Sequence, residues 1–138
     1  MLRMLSVRSA GVLALSVLVL VGCGPQGNGA ADFEMPRFED PMLAEGRAVW
    51  MGTCRACHLL GVAGAPAVTD YDNWEPRIAK GMPALYKGPM HGIKGEDGKY
   101  KMPPRAGNDR LSDTQIKRAA DYMVAAVEYL HQRTQAPQ

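Results

Sequence analysis

No segment of this chain alternates apolar and polar residues over the length of a half-buried strand, so a sheet-built fold is not expected. No block of sequence repeats. Lysine and arginine never gather into a run with interleaved aromatics, which excludes a nucleic-acid partner. The longest uncharged apolar run, Gly11 to Val21, is too short to cross a bilayer, which takes about 20 residues. Ligands for a metal ion are also scarce. Beyond residue 30 the cysteines and histidines amount to Cys54, Cys57, His58, His91 and His131. A Cys2His2 zinc site is possible on paper, but it would have to bind adjacent Cys57 and His58 to one ion, so a zinc module is not expected. A thioredoxin-like dithiol is not expected either, because that motif needs a strand–helix–strand setting.

What the first residues do contain is an export signal. Arg3 and Arg8 precede the apolar run, and Leu20–Val21–Gly22–Cys23 closes it. Small residues before a cysteine at that boundary resemble the lipobox of bacterial lipoproteins. The resemblance implies cleavage after residue 22 and lipid on Cys23, which would hold the mature chain to a membrane. Residues 1–22 carry two of the 16 basic residues and none of the 14 acids, so the mature chain has a formal charge of zero. The precursor's pI near 8.5 therefore carries no argument about partners. Residues 23–39 are rich in Gly, Pro and polar residues and read as a flexible tether with a reach of roughly 20–25 Å.

The folded domain is expected over residues 40–138, all-α, with three to four helices. Asp40 and Pro41 suit the start of a helix running into the Cys54 motif. A short helix is expected at Trp74–Lys80, capped by Asp72 or Asn73, and a further turn at Pro83–Tyr86. Ser112 and Gln115 stand in capping-box spacing before a long helix whose apolar face runs through Ile116, Ala120, Met123, Val127 and Leu130. Residues 87–111 read as one long irregular loop, which is uncommon unless functional. A domain of this size has a thin core. Both features call for something rigid and apolar at the centre.

Cys54–Arg55–Ala56–Cys57–His58 supplies it. Thiols at i and i+3 on a helical turn share a side and can add to the two vinyl groups of a haem, and the following histidine can ligate the iron. C-x-x-C-H is the attachment signature of c-type haem. The sixth ligand must come from elsewhere, and a His/Met pair is common. Met102, in Lys101–Met102–Pro103–Pro104, is the leading candidate, because the prolines hold it out of a helix. Met82, Met90 and His91 are the rivals.

With "CRACHLLGVAGAP", "NWEPRIAKG", "KMPPRAG" and "LSDTQIKRAADYM" in that order, residues 42–130 resemble a class I cytochrome c, specifically cytochrome c5. The resemblance implies an all-α fold around one haem c bound through Cys54 and Cys57, with axial ligands His58 and Met102. It implies that the Pro66 carbonyl accepts the second ring N–H of His58. It also implies a crossing of the terminal helices at Gly46 and Trp50, facing Tyr122 or Met123. Trp74 and Arg77 could reach the haem propionates, or could be a core tryptophan and a surface arginine. Where the family continues in helix, this chain has Gly88–Pro89, which makes a break there the expectation.

The implied function is single-electron transfer between redox proteins, such as respiratory oxidases or reductases, on the periplasmic side of a bacterial membrane, with no small-molecule substrate. The partner would dock at the exposed haem edge, guided by patches such as Lys94, Lys99 and Lys101. A haem enzyme or ligand sensor would instead need a labile sixth ligand. A haem module serving a larger complex is a third reading.

Overall fold

The computed structural model describes residues 34–136; the signal segment and Cys23 lie outside the described residues. Helix α1 (Pro41–Val49) starts as its sequence dictates. The Asp40 carboxylate accepts the Met42 N–H at 2.7 Å, and Pro41 occupies the first helical position, where no N–H is needed. The helix passes through a π-helical turn, Trp50–Cys54, into α2 (Arg55–His58). Such widened turns are frequent at functional sites.

After a 3-10 turn at Val62–Gly64 come α3 (Tyr71–Ile78), α4 (Met82–Leu85) and α5 (Lys87–His91). Helix α3 begins earlier than expected, because Asp70 rather than Asp72 or Asn73 is its cap and accepts the Asn73 N–H at 3.2 Å. Pro76 is therefore inside the helix and not in its first turn. Helix α5 runs straight through Gly88 and Pro89, so the expected break is absent. Pro89 is only its third residue, where the missing N–H has no intrahelical partner to lose.

The region expected as one irregular loop is ordered. Strands β1 (Ile93–Lys94) and β2 (Tyr100–Met102) form an antiparallel hairpin, with Ile93 opposite Met102. Pairs this short leave no periodicity to read. A 3-10 turn at Pro104–Gly107 leads to α6 (Asp113–Gln135), which opens on the full Ser112–Gln115 capping box.

The core lies where α1 and α6 cross. Trp50 and Tyr122 are both fully buried, with ring centroids 5.9 Å apart. Gly46 lets the backbones approach: a Cβ there would lie 2.7 Å from the Arg118 carbonyl carbon and 3.0 Å from Tyr122 Cβ. Of the two residues expected opposite Gly46 and Trp50, Tyr122 is the one in place.

The packed chain begins before residue 40, which corrects the tether boundary. Met35 is buried, the Tyr122 hydroxyl donates to the Pro36 carbonyl at 2.8 Å, and Phe38 stands edge-on to Tyr122 and Tyr129. A Gly/Pro-rich composition hid these few apolar anchors.

Candidate cofactor cleft

One cleft brings Cys54, His58 and Met102 together, while Cys57 does not line it. Its wall contains Cys54 from the end of the π-turn, His58 from the end of α2 and Met102 from the end of β2. Most of the rest is apolar: Val49, Pro89, Leu111, and Ile116, Ala119, Ala120 and Met123 from α6. Positions 116, 119, 120 and 123 are one face of a helix. Tyr122, Ala126 and Val127 are buried in the α1–α6 core, so α6 serves the core and the cleft with adjoining stripes. The lining suits a largely apolar cofactor.

His58 is held by three consecutive residues. Its Nδ1–H donates to the Pro66 carbonyl at 2.9 Å, and its own carbonyl accepts the Val68 N–H at 2.7 Å. The residue between, Ala67, accepts the Trp74 indole N–H at 2.8 Å, and the Trp74 ring stands 5.9 Å from the imidazole. This arrangement leaves Nε2 as the nitrogen available for coordination. Burial lowers the His58 pKa, partly offset by the Pro66 bond, so the neutral ligating form is favoured. Burial, and then the neighbouring Cys57, push the Cys54 thiol up to about 11. Cys57 is exposed, and neither cysteine is in a disulfide.

The donor set fits a covalent haem: two unpaired thiols at i and i+3, an imidazole with one nitrogen already committed, and a thioether across an apolar cleft. Among the described residues no cluster of three or more His, Cys, Asp or Glu side chains could hold an ion on its own. Met82, Met90 and His91 do not line the cleft, whereas Met123 does.

Trp74 and Arg77 do not line it either. The Trp74 N–H is committed to Ala67, and the Arg77 guanidinium folds back on the carbonyl and side chain of Asn73 within α3. The cleft arginine is instead Arg105, which sequence reasoning missed. Arg105 has a left-handed backbone, and its guanidinium donates to the Leu111 carbonyl and the Asp113 carboxylate, tying the segment after Met102 to the start of α6. Its place in Met–Pro–Pro–Arg was the available signal.

Comparison with known proteins matches residues 41–123 to the family described as "Cytochrome C oxidase, cbb3-type, subunit III". Cytochrome c-555 of Chlorobaculum tepidum is 43% identical over 81 residues, 59% of this chain and 73% of the relative. Cytochrome c-555 of Chlorobaculum thiosulfatiphilum is 42% identical over 81 residues, covering 92% of that protein. The chain belongs to the class I cytochrome c family.

This cytochrome is a mono-haem electron carrier rather than an enzyme, with haem c bound covalently through Cys54 and Cys57. Its fold is shared with a solved chain 34% identical to it, at a TM-score of 0.52, covering 60% of this chain and 94% of the other. That structure is titled "Crystal structure of electron transfer complex of nitrite reductase with cytochrome c".

Proposed function

We propose that this cytochrome passes single electrons to or from a redox enzyme at a bacterial cell envelope, with His58 and Met102 as axial ligands and a lipid on Cys23 as anchor. The observation that carries the ligand assignment is the joint presence of His58, Met102 and Cys54 in one apolar cleft, with His58 already oriented by Pro66. When bound, the haem supplies a one-electron ferric–ferrous couple. The chain's own part is to keep water from the cleft with α6, to hold His58 neutral and oriented, and to present Met102 from a short hairpin braced by Pro103, Pro104 and Arg105. With His58 and Met102 both holding the iron, no ligand position would be left for a substrate. A His/Met pair also gives a higher potential than two histidines.

The solved relative in complex with nitrite reductase supports a reductase or comparable redox enzyme as partner. Leu20–Cys23 at the end of an apolar signal supports lipidation and a periplasmic-facing location.

The deciding experiment is the optical spectrum of the ferric protein, including the weak far-red band of methionine-ligated haem. Met102→Ala abolishes the band, while Met82→Ala, Met90→Ala and Met123→Leu keep it. A band that survives Met102→Ala overturns the ligand assignment. Mass spectrometry of the mature N-terminus tests the anchor separately: an acylated Cys23 is expected, and a free Cys23 or another N-terminal residue overturns it.

A further inference from the structure

Three described residues other than glycine have a positive φ, and two of them stand together just after Met102. Arg105 has φ 53° and Ala106 φ 50°, and Gly107 continues the same hand at 79°. A residue with a Cβ takes this conformation at a cost, and it persists only where surrounding contacts hold it. Within the turn the backbone closes local bonds. The Ala106 N–H donates to the Pro103 carbonyl at 3.1 Å, and the Asn108 N–H to the Arg105 carbonyl at 2.9 Å.

The Arg105 side chain ties this turn to the rest of the fold. One guanidinium nitrogen donates to the Leu111 carbonyl and the other to the Asp113 carboxylate. Leu111 lines the cleft, and Asp113 is the first residue of α6. A planar fork suits two fixed acceptors, and bonds to an ionised group are the stronger kind. On the other side of the segment Gly92 leaves no space. A Cβ there would lie 2.8 Å from the Met102 carbonyl oxygen and 2.8 Å from the Pro104 nitrogen. Pro103 and Pro104 have fixed φ, so a movement of Arg105 is passed on to Met102 rather than absorbed between them.

We propose that Arg105 is the positioning residue for the sixth ligand: its fork on Leu111 and Asp113 clasps a strained turn and so keeps Met102 in the cleft. The proposal rests on the His58/Met102 reading and adds how the chain suppresses ligand exchange there. Without the fork the turn relaxes toward ordinary backbone, and Met102 leaves the iron more often. An outside nitrogen donor can then take its place. The iron–sulfur bond breaks, an iron–nitrogen bond forms, and no electron or proton moves.

The test mixes the ferric holoprotein with imidazole at about pH 8, where imidazole is neutral and is not steered by an altered charge. At saturating imidazole the rate reports departure of the Met102 thioether alone. Arg105→Ala raises this limiting rate about tenfold, the weight of one charge-assisted hydrogen bond. Arg105→Lys, whose ammonium lacks the planar fork, falls between. Ala106→Gly keeps the fork and removes the cost of the left-handed position, so it lowers the rate about threefold. Arg118→Ala breaks the ion pair with Glu45 at the α1–α6 crossing and stays within about twofold of wild type. Amide hydrogen exchange at Ala106 and Asn108 is the second readout, and it speeds up in Arg105→Ala but not in Arg118→Ala.

A limiting rate in Arg105→Ala equal to wild type, an equal rise in Arg118→Ala, or a faster rate in Ala106→Gly overturns the clasp. A wild-type ferric protein without the far-red methionine band, whose imidazole rate climbs with concentration and never levels off, overturns the His58/Met102 reading itself, and the proposal with it.

Discussion

Gly46 of α1 lies against the backbone carbonyl of Arg118 of α6, with no room for a side chain between them. This contact sets the distance at which the two longest-range elements of the fold meet. The obstacle is backbone, so nothing flexible can yield. Gly46→Ala gains about 1 kcal/mol of helix propensity and incurs about 1–3 kcal/mol of overpacking. The expected sum is a net loss, read as a lower denaturant midpoint for the holoprotein. An unchanged or higher midpoint would mean that the crossing can open without cost.

Trp74 supports His58 through Ala67. Trp74→Phe keeps an aromatic ring beside the imidazole and leaves the Ala67 carbonyl without its donor. A loss of about 1 kcal/mol in unfolding free energy is expected. The pH dependence of the reduction potential, which reports propionate ionisation, stays as in wild type, because the indole N–H is committed to Ala67. A changed pH dependence would return Trp74 to the propionates.

Tyr86 donates to Asp121 at 2.6 Å and ties the junction of α4 and α5 to α6. Burial, then this bond and the charge of Asp121, push its phenol up to about 12. In the unfolded chain a tyrosine ionises near pH 10. The contribution of Tyr86 to stability is therefore whole below about pH 10 and lost as the pH climbs to about 12. Unfolding free energies of wild type and Tyr86→Phe should differ by a constant amount up to about pH 10 and converge above it. A constant gap through pH 12 would disconnect the bond from alkaline stability.

Gly92 has φ +78°, and a Cβ there would meet the Tyr100 ring at 2.7 Å and the Met102 carbonyl oxygen at 2.8 Å. Gly92→Ala should displace the hairpin strand that carries Met102. The expected signature is a weakened far-red methionine band with near-native helical circular dichroism. A full-strength band would show that the hairpin can shift without moving Met102.

Haem removal should be more damaging than any single substitution. The cleft side of α6, with Ile116, Ala119 and Met123, would lose its partner, in a protein class whose whole stability is about 5–15 kcal/mol. A chain with Cys54→Ala and Cys57→Ala should show much reduced helical circular dichroism. Retained native helix content would mean that the α1–α6 core is sufficient alone.

Residue pattern alone determined the covalent motif, the long capped helix and the start of the first helix at Asp40–Pro41. Each of these rests on local spacing: i and i+3 thiols, a Ser–x–x–Gln cap, Asp before Pro. The candidate ligand Met102 was legible because two prolines follow it. Tertiary structure decided what depends on contacts between distant segments. Met35 and Phe38 joined the core because Tyr122 and Tyr129 stand behind them. The Trp74 indole turned to Ala67 because the loop after His58 folds back over α3. Arg105 took the place at the cleft because a left-handed turn aims it at Leu111 and Asp113. Hydrogen-bond partners of this kind carry no local signature, since a donor is satisfied by whichever acceptor the packed chain brings within reach.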